Sequence, residues 1–171
     1  LAESVVDVLE KRLSKRLLED KPKPIGLATG RTMKPIYKSL VTRLRTWGID
    51  DLEALLEGWC SFNLDEYVGL GDCDPHSFLT YMASNLGKPL QMNPEKIRLP
   101  DGKALDPKYE ASSYLKELKS YGGLSIQLLG LGRNGHVGFN EPPSGPDSTC
   151  RVVSLSNSTR KQNAFSFAGQ Y

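Results

Sequence analysis

The residues best equipped for chemistry lie in LGLGRNGHVGFNEPP, residues 129–143, where an aliphatic run ends in glycines and presents His136 between Asn134 and Glu141. A carboxylate beside an imidazole raises its basicity and fixes its tautomer, which would equip His136 as a general base near neutral pH. The bland alternative is a turn histidine bonded to backbone. Gly130, Gly132 and Gly135 also spell G-x-G-x-x-G, the spacing of a dinucleotide loop. That loop needs a helix opening at its last glycine to hold pyrophosphate, and an acidic residue about 20 positions on. Pro142, Pro143 and Pro146 forbid a continuing helix, and no Asp or Glu follows Asp147. The dinucleotide reading fails, and no organic cofactor is expected.

Two further segments carry polar residues where apolar runs end. In FNLDEYVGL, Asp65 and Glu66 are neighbours at a strand end, so they point to opposite faces and only one should enter a given site. Asp65 could aim into a cleft; an ordinary solvated acidic turn is the alternative. In ATGRT, the backbone N–H groups of Gly30, Arg31 and Thr32, with the Thr32 hydroxyl, would suit a phosphate monoester. A plain helix cap at Thr32 would explain the same residues. The segment is too short for a Walker loop and lacks its lysine.

These segments need elements to hold them. Residues 1–19 place Val5, Val8, Leu9, Leu13 and Leu17 on one helical stripe. KPKP ends it, and IGLAT reads as a short buried strand running into Gly30. A second helix, capped by Thr32 with Pro35 in its first turn, extends through about Trp47. GWCSFNL reads as a strand, and a helix follows from about His76 to Leu86. A short strand is expected at Ile97 to Leu99 and a helix over 107–121 with Tyr114, Leu115 and Leu118 inward. LSIQLLGL is the clearest buried strand; a last strand at about Arg151 to Leu155 leads into a helix near Asn157. Helices alternating with apolar strands imply an α/β domain with a mostly parallel sheet, whose ligands sit beyond the carboxyl ends of the strands. ATGRT, NLDEYVG and GLGRNGHVGFNEP should therefore converge on one edge.

Composition excludes other classes. The chain has 171 residues, read as one domain over 1–171, and 22 Lys and Arg against 20 Asp and Glu. That balance argues against a nucleic-acid binder working through bulk charge. Three cysteines without C-x-x-C spacing and only two histidines make a metal site unexpected and fit a reduced, cytoplasmic setting. No apolar run is long enough to span a membrane, and no signal-peptide pattern opens the chain. It begins at Leu1 inside a helical pattern and stops at Tyr171 soon after another begins, so it reads as a fragment.

Together, ATGRT, FNLDEYVGL and LGLGRNGHVGFNEP resemble the glucosamine-6-phosphate deaminase/isomerase family, in register over nearly the whole chain. GHVGFNEP is the specific part; the wider superfamily, which includes 6-phosphogluconolactonases, shares the glycine–histidine loop but not FNEP or DEYVGL. The resemblance implies a Rossmann-like three-layer α/β sandwich truncated at its C-terminus, with the family's final third absent. It implies conversion of glucosamine 6-phosphate to fructose 6-phosphate and ammonia in amino-sugar catabolism. In class terms it implies a hydrolase, deaminase and isomerase, with a sugar phosphate as small-molecule partner and a homo-oligomer as one possible assembly. His136, supported by Glu141 and Asn134, would open the sugar ring. Asp65 would move a proton between C2 and C1, and Gly30, Arg31 and Thr32 would hold the phosphate. Some positions depart from the pattern. Asn134 stands where many members have Asp, and Phe165 where a phosphate-clamping Arg is expected, a loss of about 1.5–3 kcal/mol of charge-assisted bonding. Arg151 matches one residue of the allosteric site of some members, but Val153 replaces a Lys. Two alternatives stand beside this one: a 6-phosphogluconolactonase-like hydrolase in which His136 activates water, and a non-catalytic sugar-phosphate-binding remnant.

Overall fold

The computed structural model describes residues 1–132 and 135–163, so Asn134 and Phe165 lie outside the described residues. Helix α1 (Ala2–Arg16) buries Val6, Leu9, Leu13 and Arg16. The buried stripe is centred on Val6, not Val8, which is 56% exposed. Both valines fit an apolar periodicity, and only contact with α2 (Met33–Leu44) chooses between them. From α2, Ile36, Tyr37, Leu40 and Leu44 join Leu9 and Leu13 in one core with Ile25, Leu27, Trp59, Met82 and Leu86. Each such leucine contributes about 1.5–3 kcal/mol on burial. A triple ion pair from Arg43 to Glu3, Asp7 and Glu10 ties the outer sides of the two helices.

Strands β1 (Ile25–Leu27), β2 (Ser61–Asn63), β3 (Ile97–Arg98) and β4 (Ile126–Gln127) form one sheet in the order β3-β2-β1-β4. Every pairing is parallel, with Ile25 opposite both Ser61 and Ile126. Parallel neighbours require crossovers, which the intervening helices supply. Phe62 stands apart from the α1–α2 core and packs edge-on against Tyr114 of α5 (Pro107–Ser120) and Tyr121 just beyond it. The Tyr114 hydroxyl donates to the Asn63 carbonyl at 2.7 Å, fastening α5 to β2. The α/β expectation, with a mostly parallel sheet, therefore holds.

Several elements differ from the sequence-based expectation. Helix α3 (Ile49–Glu57) was not expected; Asp50 and Asp51 in its first turn favour the helix dipole, but only Leu55 is buried. Thr32 precedes α2 without making a side-chain cap bond. The helix expected from His76 begins two residues later as α4 (Phe78–Met82), because Ser77 caps it by accepting the Thr80 N–H at 3.0 Å, and it continues as a π-helical turn over Ala83–Gly87. Strand β4 is half-buried rather than the best-buried strand, since it pairs with β1 alone at the edge of the described sheet. Residues 151–155 form no strand; Arg151 instead donates to the side chains of Asn140 at 3.1 Å and Ser144 at 2.8 Å. Helix α6 (Asn157–Asn163) begins where expected. No described helix is long and apolar enough to cross a membrane.

Candidate active site

The exits of β1, β2 and β4 open onto one cleft of about 540 Å³. The β1 exit contributes Gly30, Arg31, Thr32 and, from the first turn of α2, Lys34. The β2 exit contributes Leu64, Asp65 and Tyr67, and the β4 exit contributes Gly130, Gly132, His136 and Gly138. All three polar strand exits thus meet on one edge, as the parallel topology requires.

Among the described residues, Asp65 is the one carboxyl that lines this cleft. Burial, followed by the neighbouring Glu66 charge, pushes it up to about 7, against a hydrogen bond from the Phe139 backbone. Glu66 does not line this cleft; its carboxylate turns to the start of α4 and accepts the backbone N–H groups of Tyr67, Phe78 and Leu79 at 2.7, 3.1 and 3.0 Å. The adjacent acids have separated, one into the cleft and one onto a helix. Gly138 makes room for this arrangement. Its φ is +58°, and a Cβ there would lie 2.8 Å from Asp65 Oδ2 and 2.4 Å from Leu64 Cδ2.

His136 sits in a tight loop, its carbonyl accepting the Gly132 N–H at 2.8 Å. A Cβ at Gly132 would fall 2.1 Å from the imidazole Cε1, so the missing side chain is the space the ring occupies. The middle glycine of the G-x-G-x-x-G string therefore accommodates a histidine ring. Glu141 is not in the cleft lining. Its carboxylate accepts the Ser156 N–H at 2.7 Å and the Ser156 hydroxyl at 2.8 Å, and it also accepts the Thr159 hydroxyl. The histidine loop is thereby pinned to the start of α6.

The β1 exit has a preformed turn. Gly30 adopts φ +115°, and its carbonyl accepts both the Met33 N–H at 3.1 Å and the Tyr81 hydroxyl at 2.7 Å. Burial raises Tyr81 to about 12, keeping it a neutral donor. Arg31, Thr32 and Lys34 remain exposed around this helix start, a disposition suited to an anion. Sequence reasoning missed Lys34, Tyr81 and His76, all in the same lining. His76 and Tyr81 flank Ser77, and the Ser77-to-Thr80 capping pattern was the signal that could have placed them. Among the described residues no cluster of His, Cys, Asp and Glu is placed to hold a metal ion.

Residues 1–164 match the family model for glucosamine-6-phosphate isomerases/6-phosphogluconolactonase. The chain belongs to this family. A glucosamine-6-phosphate deaminase of Shewanella loihica is 42% identical over 156 residues, covering 90% of this chain and 56% of the relative. One of Lysinibacillus sphaericus is 40% identical over 151 residues, covering 88% of this chain and 62% of the relative. The chain thus spans little more than half the length of these family members. Among solved structures, a monomeric glucosamine-6-phosphate deaminase superposes with TM-score 0.84 at 34% identity, covering 98% of this chain and 68% of that one. A 6-phosphogluconolactonase of Thermotoga maritima superposes with TM-score 0.63 at 20% identity, covering 90% and 72%, a likeness of fold alone. These comparisons correct one expectation: family members at about 40% identity carry the name deaminase, which overturns hydrolase as the leading class term.

Proposed function

We propose that this chain carries the proton-transfer centre of a glucosamine-6-phosphate deaminase, converting glucosamine 6-phosphate and water to fructose 6-phosphate and ammonia. The observation that carries this reading is the Asp65 carboxyl, raised to about 7 in the cleft that His136 also lines. A base titrating near the working pH both takes up and gives back a proton effectively. The deaminase names of the two bacterial relatives support the choice of substrate.

The closed sugar offers its anomeric hydroxyl to His136, which takes that proton and returns it to the ring oxygen as the ring opens. Asn134 and Glu141 assist at this step in our reading. Ionised Asp65 then removes the proton from C2 of the open aldehyde and delivers it to C1. As the double bond moves from C1–O to C2–N, an amine proton passes to O1, leaving a C1 hydroxyl and an imine at C2. Water adds there, ammonia departs, and water's oxygen becomes the C2 ketone. Gly30, Arg31 and Thr32, with Lys34 beside them, hold the phosphate by backbone N–H groups and positive charge.

The test is production of fructose 6-phosphate and ammonia from glucosamine 6-phosphate by this chain and by a version extended to the relatives' length. Asp65→Asn and His136→Ala should each lose turnover while retaining the fold by circular dichroism. Full activity in Asp65→Asn would remove the carboxylate from the mechanism, and absence of turnover in both lengths would sink the reading.

A further inference from the structure

The same end of the sheet holds a second acid, Glu66, which stays out of the first cleft's lining but bonds to the backbone of two residues, Tyr67 and Phe78, that line it. Glu66 accepts three backbone N–H groups, one from its own turn at Tyr67 and two from Phe78 and Leu79 at the start of α4. Burial pushes Glu66 up, but these donors oppose that and favour its ionised form, as does a helix N-terminus. Phe78 also packs on Tyr67 and Phe139 with ring centroids 5.0 and 5.8 Å apart, and the Phe139 backbone contacts Asp65. One side chain therefore couples the Asp65 turn, the α4 wall of the cleft and the ring cluster beneath it.

We propose that Glu66 is a positioning residue for Asp65: it locks residues 65–67 onto the start of α4 and fixes a negative charge beside the Asp65 carboxyl. A neighbouring negative charge disfavours ionisation and so raises the basicity of the carboxylate that forms. Other ionisable or charged groups face the pair from both clefts, Tyr67 in both and Cys150 in the second among them. Arg31, Lys34, His76, Tyr81 and His136 share the first cleft with Asp65. Asp101, Glu110, Tyr114 and Arg151 line a second cleft, of about 460 Å³, that Asp65 and Glu66 both reach. Asp74 adds negative charge near Glu66. Glu66 is the charge adjoining Asp65 with three backbone anchors, so its substitution isolates the effect.

The turnover arm of the test rests on the deaminase reading, whereas a titration arm does not. Asp65 would be followed by carboxyl-carbon NMR across pH 4–9 in the wild-type chain, Glu66→Gln and Glu66→Asp. Glu66→Gln removes the charge at nearly constant shape, and the Asp65 midpoint should move to lower pH by about one unit. Glu66→Asp keeps the charge but withdraws it from the helix start, so its midpoint should stay near wild type. In whichever length shows turnover, both variants should lose about tenfold in kcat with KM little changed. Only Glu66→Gln should also move the acidic limb of the pH–rate profile downward. An Asp65 midpoint unmoved in Glu66→Gln, or moved equally in both variants, overturns the proposal. If Glu66→Gln fails to fold, a wild-type midpoint with lowered kcat in Glu66→Asp supports it, and wild-type kcat overturns it. A shifted midpoint with no turnover from any form would leave the electrostatic role standing and refute the deaminase reading instead.

Discussion

The His136 imidazole rests against Gly132 so closely that a Cβ at position 132 would lie 2.2 Å from Nε2. Alanine fits the backbone of most loops, so Gly132→Ala tests the contact rather than the turn. The ring must swing away, and a displacement on the order of 1 Å of a proton-transfer group costs roughly 100-fold in rate. Gly132→Ala should therefore keep nearly the wild-type melting temperature, lose most of kcat, and show displaced His136 ring resonances in NMR spectra. Unchanged kcat would mean that the ring works from another position.

How much of this was legible beforehand depended on whether the signal was local. Three polar strand exits could be read because strands end where apolar runs meet glycine, and a parallel sheet sends such ends to one edge. The separation of Asp65 from Glu66 followed from strand alternation. The Glu66 anchor could not be read, because its donors Phe78 and Leu79 lie 12 and 13 residues further along the chain. The choice of Val6 over Val8 depended on α2, and the shallow burial of β4 on its place at the sheet edge. Helix α3 escaped notice although Leu52, Leu55 and Leu56 share a helical spacing and all pack on the core. The tie from Glu141 to Ser156 spans 15 residues, beyond any motif that names Glu141.

Asp65 links activity to stability in opposite directions. In its proposed role as the C2 base it must be ionised, so kcat should rise with pH through about 7. Its folded-state value lies above its unfolded value near 3.8, so the folded state binds the proton more tightly. The associated stability is complete below pH 4, declines as pH rises, and is gone above about 7. Asp65→Asn removes this cost, which is on the order of 4 kcal/mol at alkaline pH. The variant should be inactive yet more resistant to urea than wild type at pH 8, with the difference closing by pH 4. Equal urea midpoints at pH 8 would mean that Asp65 carries no such strain.

The Ser156 hydroxyl accepts the Thr159 N–H at 3.2 Å and donates to Glu141 at 2.8 Å. It therefore caps α6 and anchors the histidine loop at once. Ser156→Ala should cost about 1 kcal/mol of stability, as lost caps do, and reduce kcat more than that loss explains. Hydrogen exchange would check this: amides of residues 135–141 should exchange faster in the variant, while those of α2 should not change. Protection lost only within α6 would show that Glu141 holds its loop without Ser156.

The phosphate recognition proposed for the β1 exit would combine exposed cations with a preformed turn, and the two parts should fail differently. Arg31 and Lys34 are exposed, so each acts through charge screened by salt. Arg31→Ala and Lys34→Ala should raise KM for the sugar phosphate several-fold at low salt, leave kcat nearly unchanged, and approach wild-type KM at high salt. Tyr81→Phe removes the 2.7 Å bond to the Gly30 carbonyl without removing charge. Its effect should persist at high salt, because it loosens the turn whose N–H groups face the phosphate. Direct titration with inorganic phosphate gives the same comparison without turnover: binding should weaken in all three variants, with the full salt dependence retained only in Tyr81→Phe. Salt-independent losses in the cation variants would assign Arg31 and Lys34 to shaping the turn instead of attracting the anion.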